Sequence, residues 1–579
     1  MTSTLQRPET VPAAAARPAR SGRRFSSFQL VSWVAAAVVV AFIVYPVGRA
    51  FIGELGMELP AVLDVLTSAR TLEVLRNAVV AVALGGGLAF LIGAVLAWIN
   101  VRTDARMGWA AEALPLMPLF VPAIAGSIGW VFLATPEAGF LNHWLRKLLG
   151  LVGVHLETGP LDIFTWPGLV FVYALYLTPY AYLAISSGLQ SLDPALEEAA
   201  RVSGCGPVKT LFRVTLPNLK PAMGAAVLQL ITIGFALFSV PVVIGTSAQI
   251  QVLPVSIVQA VTRKYPPDLI TALSMSLILI TIVVVAWSVE RRIMAKGRFA
   301  RIGGRGARAA LVSLGRWKLP ARLLVLGYLG ATSVLPFLAL LLVSFQGFWT
   351  PQVDFGTLSV DNYVDLWGRL AVRRGITNSL LLALLTATIT TLLAALLAYL
   401  SYRRRSFLGR LVDGVIKVPA AISHIVVGIA FLVAFAGPPF RWNGTLLLLV
   451  STYVVIFLPQ ASFYANSAIQ QIGPEMREAA EVSGARDWRV FLRVILPLMA
   501  PSLVAGWSLL FILSAGEINA SAMLAGPGSP VVGQAILDLW TAGTFPLLAS
   551  LSVVITVVST AVVLTVLALG GRPNSGSAP

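Results

Sequence analysis

The sequence predicts an all-α integral membrane protein of about twelve transmembrane helices, arranged as two parallel six-helix modules. Three observations carry that expectation: long apolar blocks, Lys and Arg gathered in alternate loops, and a 31-residue stretch that occurs twice.

The apolar blocks set the class. Of 579 residues, 57% are hydrophobic and only 12% charged, about half of the roughly 25% charge that covers a soluble chain. Runs such as "LVSWVAAAVVVAFIVYPV" (30–47), "LITALSMSLILITIVVVAW" (269–287) and "LLASLSVVITVVSTAVVLTVLAL" (547–569) reach the roughly 18 residues needed to cross a bilayer as helix. Six spans are expected in the first half, near 30–52, 75–100, 113–134, 164–188, 219–245 and 268–289. Six more are expected near 322–345, 376–400, 412–436, 444–468, 500–525 and 546–570. A basic run, "RPARSGRRF" (17–25), precedes the first span as it would in a secretory signal. The apolar run behind it is too long for a signal, and no clear small-x-small cleavage site follows, so it reads as a retained span.

Charge gives the orientation. With the N-terminus inside, one side of the membrane receives residues 1–29, 101–112, 189–218, 290–321, 401–417, 469–499 and the C-terminal tail. These segments hold most of the 42 Lys and Arg and fewer than half of the 25 Asp and Glu. Positive loops mark the cytoplasmic face, so the net charge of +17 is a topology signal. Both termini are therefore expected in the cytoplasm. The run 291–322 carries ten Lys and Arg and no acid. It lies between two spans and has no stacking aromatics, which favours a solvated linker against anionic lipid headgroups over a nucleic-acid partner. The single cysteine, Cys205, has no partner for an internal disulfide and reads as a small filler residue.

The repeat divides the chain. "LDPALEEAARVSGCGPVKTLFRVTLPNLKPA" (192–222) aligns without gaps on "IGPEMREAAEVSGARDWRVFLRVILPLMAPS" (472–502), with 12 of 31 positions identical. Weaker echoes pair "RNAVVAVAL" (76–84) with "TNSLLLALL" (377–385) and "VPAIAGSI" (121–128) with "VPAAISHI" (418–425). The expected plan is a basic N-terminal segment (1–29), a first module (30–290), a basic linker (291–321), a second module (322–570) and a tail (571–579). Equal numbers of crossings make the two copies parallel. The octets "EEAARVSG" (from Glu197) and "REAAEVSG" (from Arg477) then share one face, each between the fourth and fifth spans of its module.

Each octet reads as helix, turn, helix. Asp193-Pro194 supplies an N-cap and a proline at the first helical position, and Gly473-Pro474 does so with a weaker cap. Glu198, Ala199 and Ala200 in one copy, and Glu478, Ala479 and Ala480 in the other, continue the helix with a narrow alanine side. Gly204 and Gly484 end it as left-handed caps. Pro207 or Asp487 starts a second short helix, and Leu216-Pro217 or Leu496-Pro497 marks entry to the next span. A short polar helix on the inner face of a membrane protein buries nothing in lipid, so it calls for a protein partner.

The EAA run, the glycine four residues after its second alanine and the Leu-Pro twelve residues beyond resemble the EAA loop of ATP-binding-cassette importer permeases. The resemblance covers nearly the whole chain, about 60 to 570. It implies a type I importer permease fold in a bacterial inner or plasma membrane. It further implies two copies of a cytoplasmic ATPase that hold the ATP and Mg, and an extracytoplasmic substrate-binding protein. In that family the loop is a helix seated in a groove of the ATPase, which assigns coupling to Glu198, Ala199, Ala200, Gly204 and their counterparts Glu478, Ala479, Ala480 and Gly484. Two modules fused in one chain look like the ferric-iron group and its relatives for thiamine and aminoethylphosphonate, with polyamine as a further alternative. "FSVPVVIGTSAQIQVLPVSIVQAV" (238–261) and "YPPDLITALSMSL" (265–277) look most like the ferric-iron branch.

Other motifs point away from catalysis. No GxxxxGK[ST] run occurs, so the chain holds no ATP phosphates through that loop and carries no cofactor of its own. "GGRGAR" (303–308) lacks the context of a dinucleotide loop, and "GGG" (85–87) suits close helix packing within a span. No nucleophile–base arrangement can be drawn, so the chain is not expected to be an enzyme. Glu517, in the eleventh span, lines a cation pathway, makes a structural hydrogen bond or sits at headgroup level; sequence leaves these open. His424 reads as a helix–helix hydrogen bond. Asn77 and Asn378 occupy matching positions near the outer ends of the second spans, where a cap or an interhelix contact is the default and gate lining the further reading. His143, His155, Glu157 and Asp162 share one outer loop in no compact ligand spacing, so no metal site is expected. A secondary transporter is the alternative from a different class; the paired EAA loops separate it from an ATP-driven permease.

Overall fold

The computed structural model describes residues 27–54, 58–107, 115, 117–118, 121–296, 311–403, 407–483 and 485–570. Most of the basic N-terminal segment, much of the linker, Gly484 and the tail 571–579 lie outside the described residues. Within them the chain is helical, and its one β feature is an isolated bridge between Thr103 and Val312.

The first module runs through α1 (Ser27–Gly48), α2 (Ala69–Arg102), α3 (Ala123–Ala134), α4 (Phe140–Leu151), α5 (Trp166–Ser191), the octet helix α6 (Pro194–Val202), α7 (Leu216–Ala236), α8 (Leu253–Thr262) and α9 (Leu269–Lys296). The second runs through α10 (Lys318–Leu329), α11 (Leu335–Phe345), α12 (Leu370–Arg403), α13 (Phe407–Ile416), α14 (His424–Phe435), α15 (Leu446–Gln470), the octet helix α16 (Pro474–Val482), α17 (Leu496–Ala515), α18 (Ser521–Leu524), α19 (Val532–Thr541) and α20 (Phe545–Gly570).

Ten described helices are long and apolar enough to span a membrane, and a bent pair brings the number to eleven. The third span of each module departs from a plain rod. In the second module it is two helices, Leu411–Ala420 and His424–Phe435, bent by 107°. In the first, only the 12-residue α3 is described there, about 18 Å of helix. Proline explains the bend in the second module and the start of α3 in the first. Pro122 stands at the N-cap of α3 and Pro419 lies in the corner before α14, and proline supplies no N–H for a continuous helix. The fifth spans also stop early, at Ala236 and Ala515. The apolar residues beyond them fold back as buried segments, Pro241–Gly245 and α18.

The packing of α2 on α5 forms the centre of the first module. Lipid tails match apolar side chains in kind, so helices in a bilayer associate by close approach, and small residues permit it. Gly85, Ala89 and Gly93 recur at one-turn spacing and are all buried. A Cβ on Gly85 would stand 2.6 Å from the Tyr173 Cβ. One on Gly93 would stand 2.7 Å from the Ala181 Cβ and 2.9 Å from the Tyr182 amide nitrogen. Gly87, on the same helix, faces open space.

The first helix of each module crosses to the other. α1 packs on α12, α13, α14 and α15 of the second module. In return, the segment from α10 to α11 docks on the first. The Trp130 indole donates to the Ala331 carbonyl at 2.9 Å, the Tyr328 hydroxyl donates to the Leu175 carbonyl at 3.3 Å, and Gly129 lies flat against Pro336.

At the end opposite the octets, the first module carries an insert built around α4. Asn142 locks it. Its Nδ2 donates to the carbonyls of Thr135 at 2.8 Å and Leu161 at 2.7 Å, and its Oδ1 accepts from the Leu161 amide at 3.0 Å. Asn142 is fully buried, so Asn142→Ala strands three polar groups at a cost of about 3 kcal/mol. The expected result is at least tenfold faster trypsin cleavage after Arg146 or Lys147, roughly the exposure that this loss of local stability allows.

Candidate functional site

The octet helices fold as their sequences direct. The Asp193 carboxylate accepts from the Ala195 amide at 2.9 Å and caps α6. At its other end the Gly204 amide donates to the Arg201 carbonyl and the Cys205 amide to the Ala200 carbonyl, both at 2.9 Å. Gly204 sits at φ +78° with no atom near its absent Cβ, so glycine is needed there for conformation and not for space. The second copy closes likewise: the Ser483 amide donates to the Ala479 carbonyl and the Ala485 amide to the Ala480 carbonyl. Gly484 and the side chain of Glu478 lie outside the described residues.

Both helices then lead through a short turn of helix, Pro207–Thr210 or Asp487–Val490, and a wider π-turn, Leu211–Thr215 or Phe491–Ile495, into α7 and α17. Counting crossings places the two octets at one end of the bundle. Each presents the same apolar pattern to the outside. Val202 is 89% exposed and Val482, its counterpart 280 residues on, is 90% exposed. Leu196 and Met476 form a second exposed pair, and Phe212 and Leu492 a third. Glu198, Ala199 and Ala479 are exposed too, while Ala200 and Ala480 are half-buried. Scattered exposed apolar residues are ordinary. Three pairs at identical register in the two copies make a matched exposed apolar face.

The acid that the octet buries is Glu197, and sequence reasoning passed over it in favour of Glu198. Its carboxylate accepts from the Thr215 hydroxyl at 2.7 Å and lies 3.5 Å from the Arg102 Nε. Both side chains of the ion pair are nearly buried, at 5% and 8% exposure. Arg102 also donates from Nη2 to the Leu189 carbonyl at 2.9 Å, fastening the end of α5. One signal was available: Glu197 faces Arg477 in the repeat and Thr215 faces Ile495, so the two copies differ at these two positions together.

The remaining candidates scatter. Asn77 donates to the Gln251 carbonyl at 3.2 Å and Asn378 to the Pro530 carbonyl at 2.8 Å, a matched pair of ties to the segments that lead into α8 and α19. Glu517 and His424, read separately in sequence, come together: His424 Nδ1 lies 3.5 Å from Glu517 Oε1. The Glu517 carboxylate also accepts from the amides of Ala520 at 3.1 Å and Ser521 at 3.3 Å, so it caps the turn into α18. It is almost wholly buried, whereas His424 is partly open. Glu517→Ala orphans those amides at about 1–3 kcal/mol, and a lower melting temperature in a fluorescence assay is expected. Glu517→Gln keeps an acceptor oxygen and is expected to melt close to wild type. His143, His155, Glu157 and Asp162 do not gather: among the described residues no three such side chains could hold a metal ion.

Residues 89–295 and 387–571 match the family model described as the binding-protein-dependent transport system inner membrane component. The chain belongs to that family. The two matched segments fall one in each half, and each contains one octet. This permease is 21% identical over 494 residues to a putative ferric transport system permease protein of Haemophilus influenzae, covering 83% of this chain and 76% of the relative. It is 27% identical over 479 residues to a probable ABC transporter permease protein of Sinorhizobium fredii, covering 80% of each. A putative 2-aminoethylphosphonate transport system permease protein of Salmonella paratyphi A is 30% identical over 145 residues, 25% of this chain and 55% of that one. The permease is therefore a multi-pass membrane component of an importer rather than an enzyme.

Proposed function

We propose that this permease carries ferric iron across a bacterial plasma membrane, by alternating access driven from two ATPase subunits. The observation that carries the reading is the pair of octet helices with matched exposed apolar faces at one end of the bundle. Each fits a groove on one ATPase subunit, with Glu198 and Glu478 meeting polar groups there and Val202 and Val482 filling apolar space. When ATP draws the two subunits together, the octet helices approach and the modules tilt. Cargo passes from an extracytoplasmic binding protein into the space between the halves. The positive loops support a cytoplasmic side for the octets and both termini, where ATP is available.

Ferric iron is favoured by two ferric transport system permease proteins that match most of this chain; aminoethylphosphonate is the second reading, favoured by the shorter match. Two measurements test the proposal. An affinity-tagged permease purified from its native membrane should bring an ABC ATPase with it, and a permease deletion should lower uptake of radioactive ferric iron while sparing thiamine and aminoethylphosphonate. A purified chain that moves cargo with no ATPase present would make it a secondary transporter.

A further inference from the structure

The two octet helices share an outline and are held by unlike chemistry. Around the first, five parts of the chain converge on one arginine, through its side chain, its acid partner and its backbone carbonyl. Arg102 ends α2, reaches the Leu189 carbonyl of α5 and faces Glu197 of α6, whose carboxylate is shared with Thr215 at the root of α7. The fifth part is the end of the inter-module linker. The Val312 amide donates to the Arg102 carbonyl at 2.8 Å, and the Asp104 amide donates back to the Val312 carbonyl at 3.1 Å. Asp104 adds a second fastening: its carboxylate accepts from the Leu314 amide at 3.1 Å and pairs with Lys318 at 3.3 Å. The Leu314 amide, followed by Lys318, holds the Asp104 carboxyl below its ordinary range. A depressed carboxyl keeps its contribution above its unfolded pKa and loses it on acidification, so the strap is fully formed at neutral pH. Arg322 donates to the Ala105 carbonyl and completes it.

Around the second octet Arg403 holds the place of Arg102, but the acid and the hydroxyl that meet it in the first are not repeated. Arg477 stands where Glu197 would, and the fully buried Ile495 replaces Thr215. An aromatic cluster takes over. Phe28, at the start of α1, lies edge-on to Trp488 at 4.8 Å and to Tyr399 at 5.4 Å, and 5.6 Å from Phe491. Tyr399 and Phe491 occupy the positions of Trp98 and Leu211 in the first module. In each case the leading segment of the opposite module closes the brace.

We propose that Arg102 is a positioning residue, locking the first octet helix to the tail of the linker. The linker then governs one of the two couplings and leaves the other to α1. This rests on the ATPase-docking reading above. A buried ion pair is costly to break from one side, because the abandoned charge remains out of water. Disturbing Arg102 therefore frees the first octet helix and not the second. An aromatic brace has no charge to strand and is insensitive to that change.

The test uses the full-length permease in lipid nanodiscs, with amide hydrogen exchange read at 195–202 and 475–482. Arg102→Met is expected to raise exchange in the first stretch by about tenfold and leave the second unchanged. Arg102→Lys, which can still reach Glu197, is expected to restore most of the protection. Val312→Pro removes the amide that meets the Arg102 carbonyl and is expected to mimic Arg102→Met. Phe28→Ala is expected to give the mirror result, in the second stretch alone. In proteoliposomes with the co-purified ATPase and binding protein, Arg102→Met should raise ATP hydrolysed per ferric ion delivered by about fivefold without loss of ATPase capture. Equal loosening of both stretches, or no change in either, overturns the proposal, as does a silent Val312→Pro. A wild-type chain that captures no ATPase defeats the docking reading separately, since the exchange measurement still decides whether the brace exists.

Discussion

With Val202 and Val482 both replaced by aspartate, the permease is expected to lose ATPase capture by at least about a hundredfold while remaining folded. The two valines are 89% and 90% exposed, so neither contributes to the core and the substitution strains nothing inside the protein. Seating each in an apolar groove is worth about 1.5 kcal/mol. Two such losses together come to about 3 kcal/mol, a little over a hundredfold in affinity. The desolvation of two carboxylates adds to that. Co-purification with the ATPase from detergent extracts, quantified against the wild type, measures the effect. Val360→Asp is the control: Val360 is also exposed, lies just ahead of the helix Asp361–Gly368 at the far end of the bundle, and should leave capture intact.

Gly93→Leu is expected to prevent folded permease from accumulating. The Cβ alone would press on the Ala181 Cβ and the Tyr182 amide at under 3 Å, and backbone cannot swing aside as a flexible side chain can. Overpacking of this kind costs about 1–3 kcal/mol for small additions and more for a leucine. It would also part α2 from α5 along their whole seam, the closest approach on which the first module is built. Fluorescence-detected gel filtration should show an aggregated or absent peak. Gly87→Leu, on the same helix with nothing within 4 Å, is expected to give a normal one.

The long helices were legible because hydropathy and length settle them. The helix ends were less so. Sequence carried the fifth spans on to 245 and 525, whereas they stop at Ala236 and Ala515. Hydropathy measures distaste for water and does not separate lipid from protein interior, and Ile244 and Leu524 are apolar for the second reason. The third span of the second module was expected to run unbroken over 412–436, whereas the chain turns by 107° before α14, with Pro419 in the corner. The first octet helix was readable down to its caps at Asp193 and Gly204, since capping is local. Glu197 and the Glu517–His424 pair were not, because their partners lie 95 and 93 residues away in sequence and only packing brings them together.

The reciprocal crossing of the two leading helices bears on how such a chain could have arisen. Each half carries its own hook for the other, so union does not depend on the peptide bonds between Lys296 and Leu311. A gene cut there should yield two polypeptides that find each other during membrane insertion and rebuild the clasp. On that view fusion fixes the pairing at one to one, and an ancestor made of separate subunits would have needed no new surface to become this one.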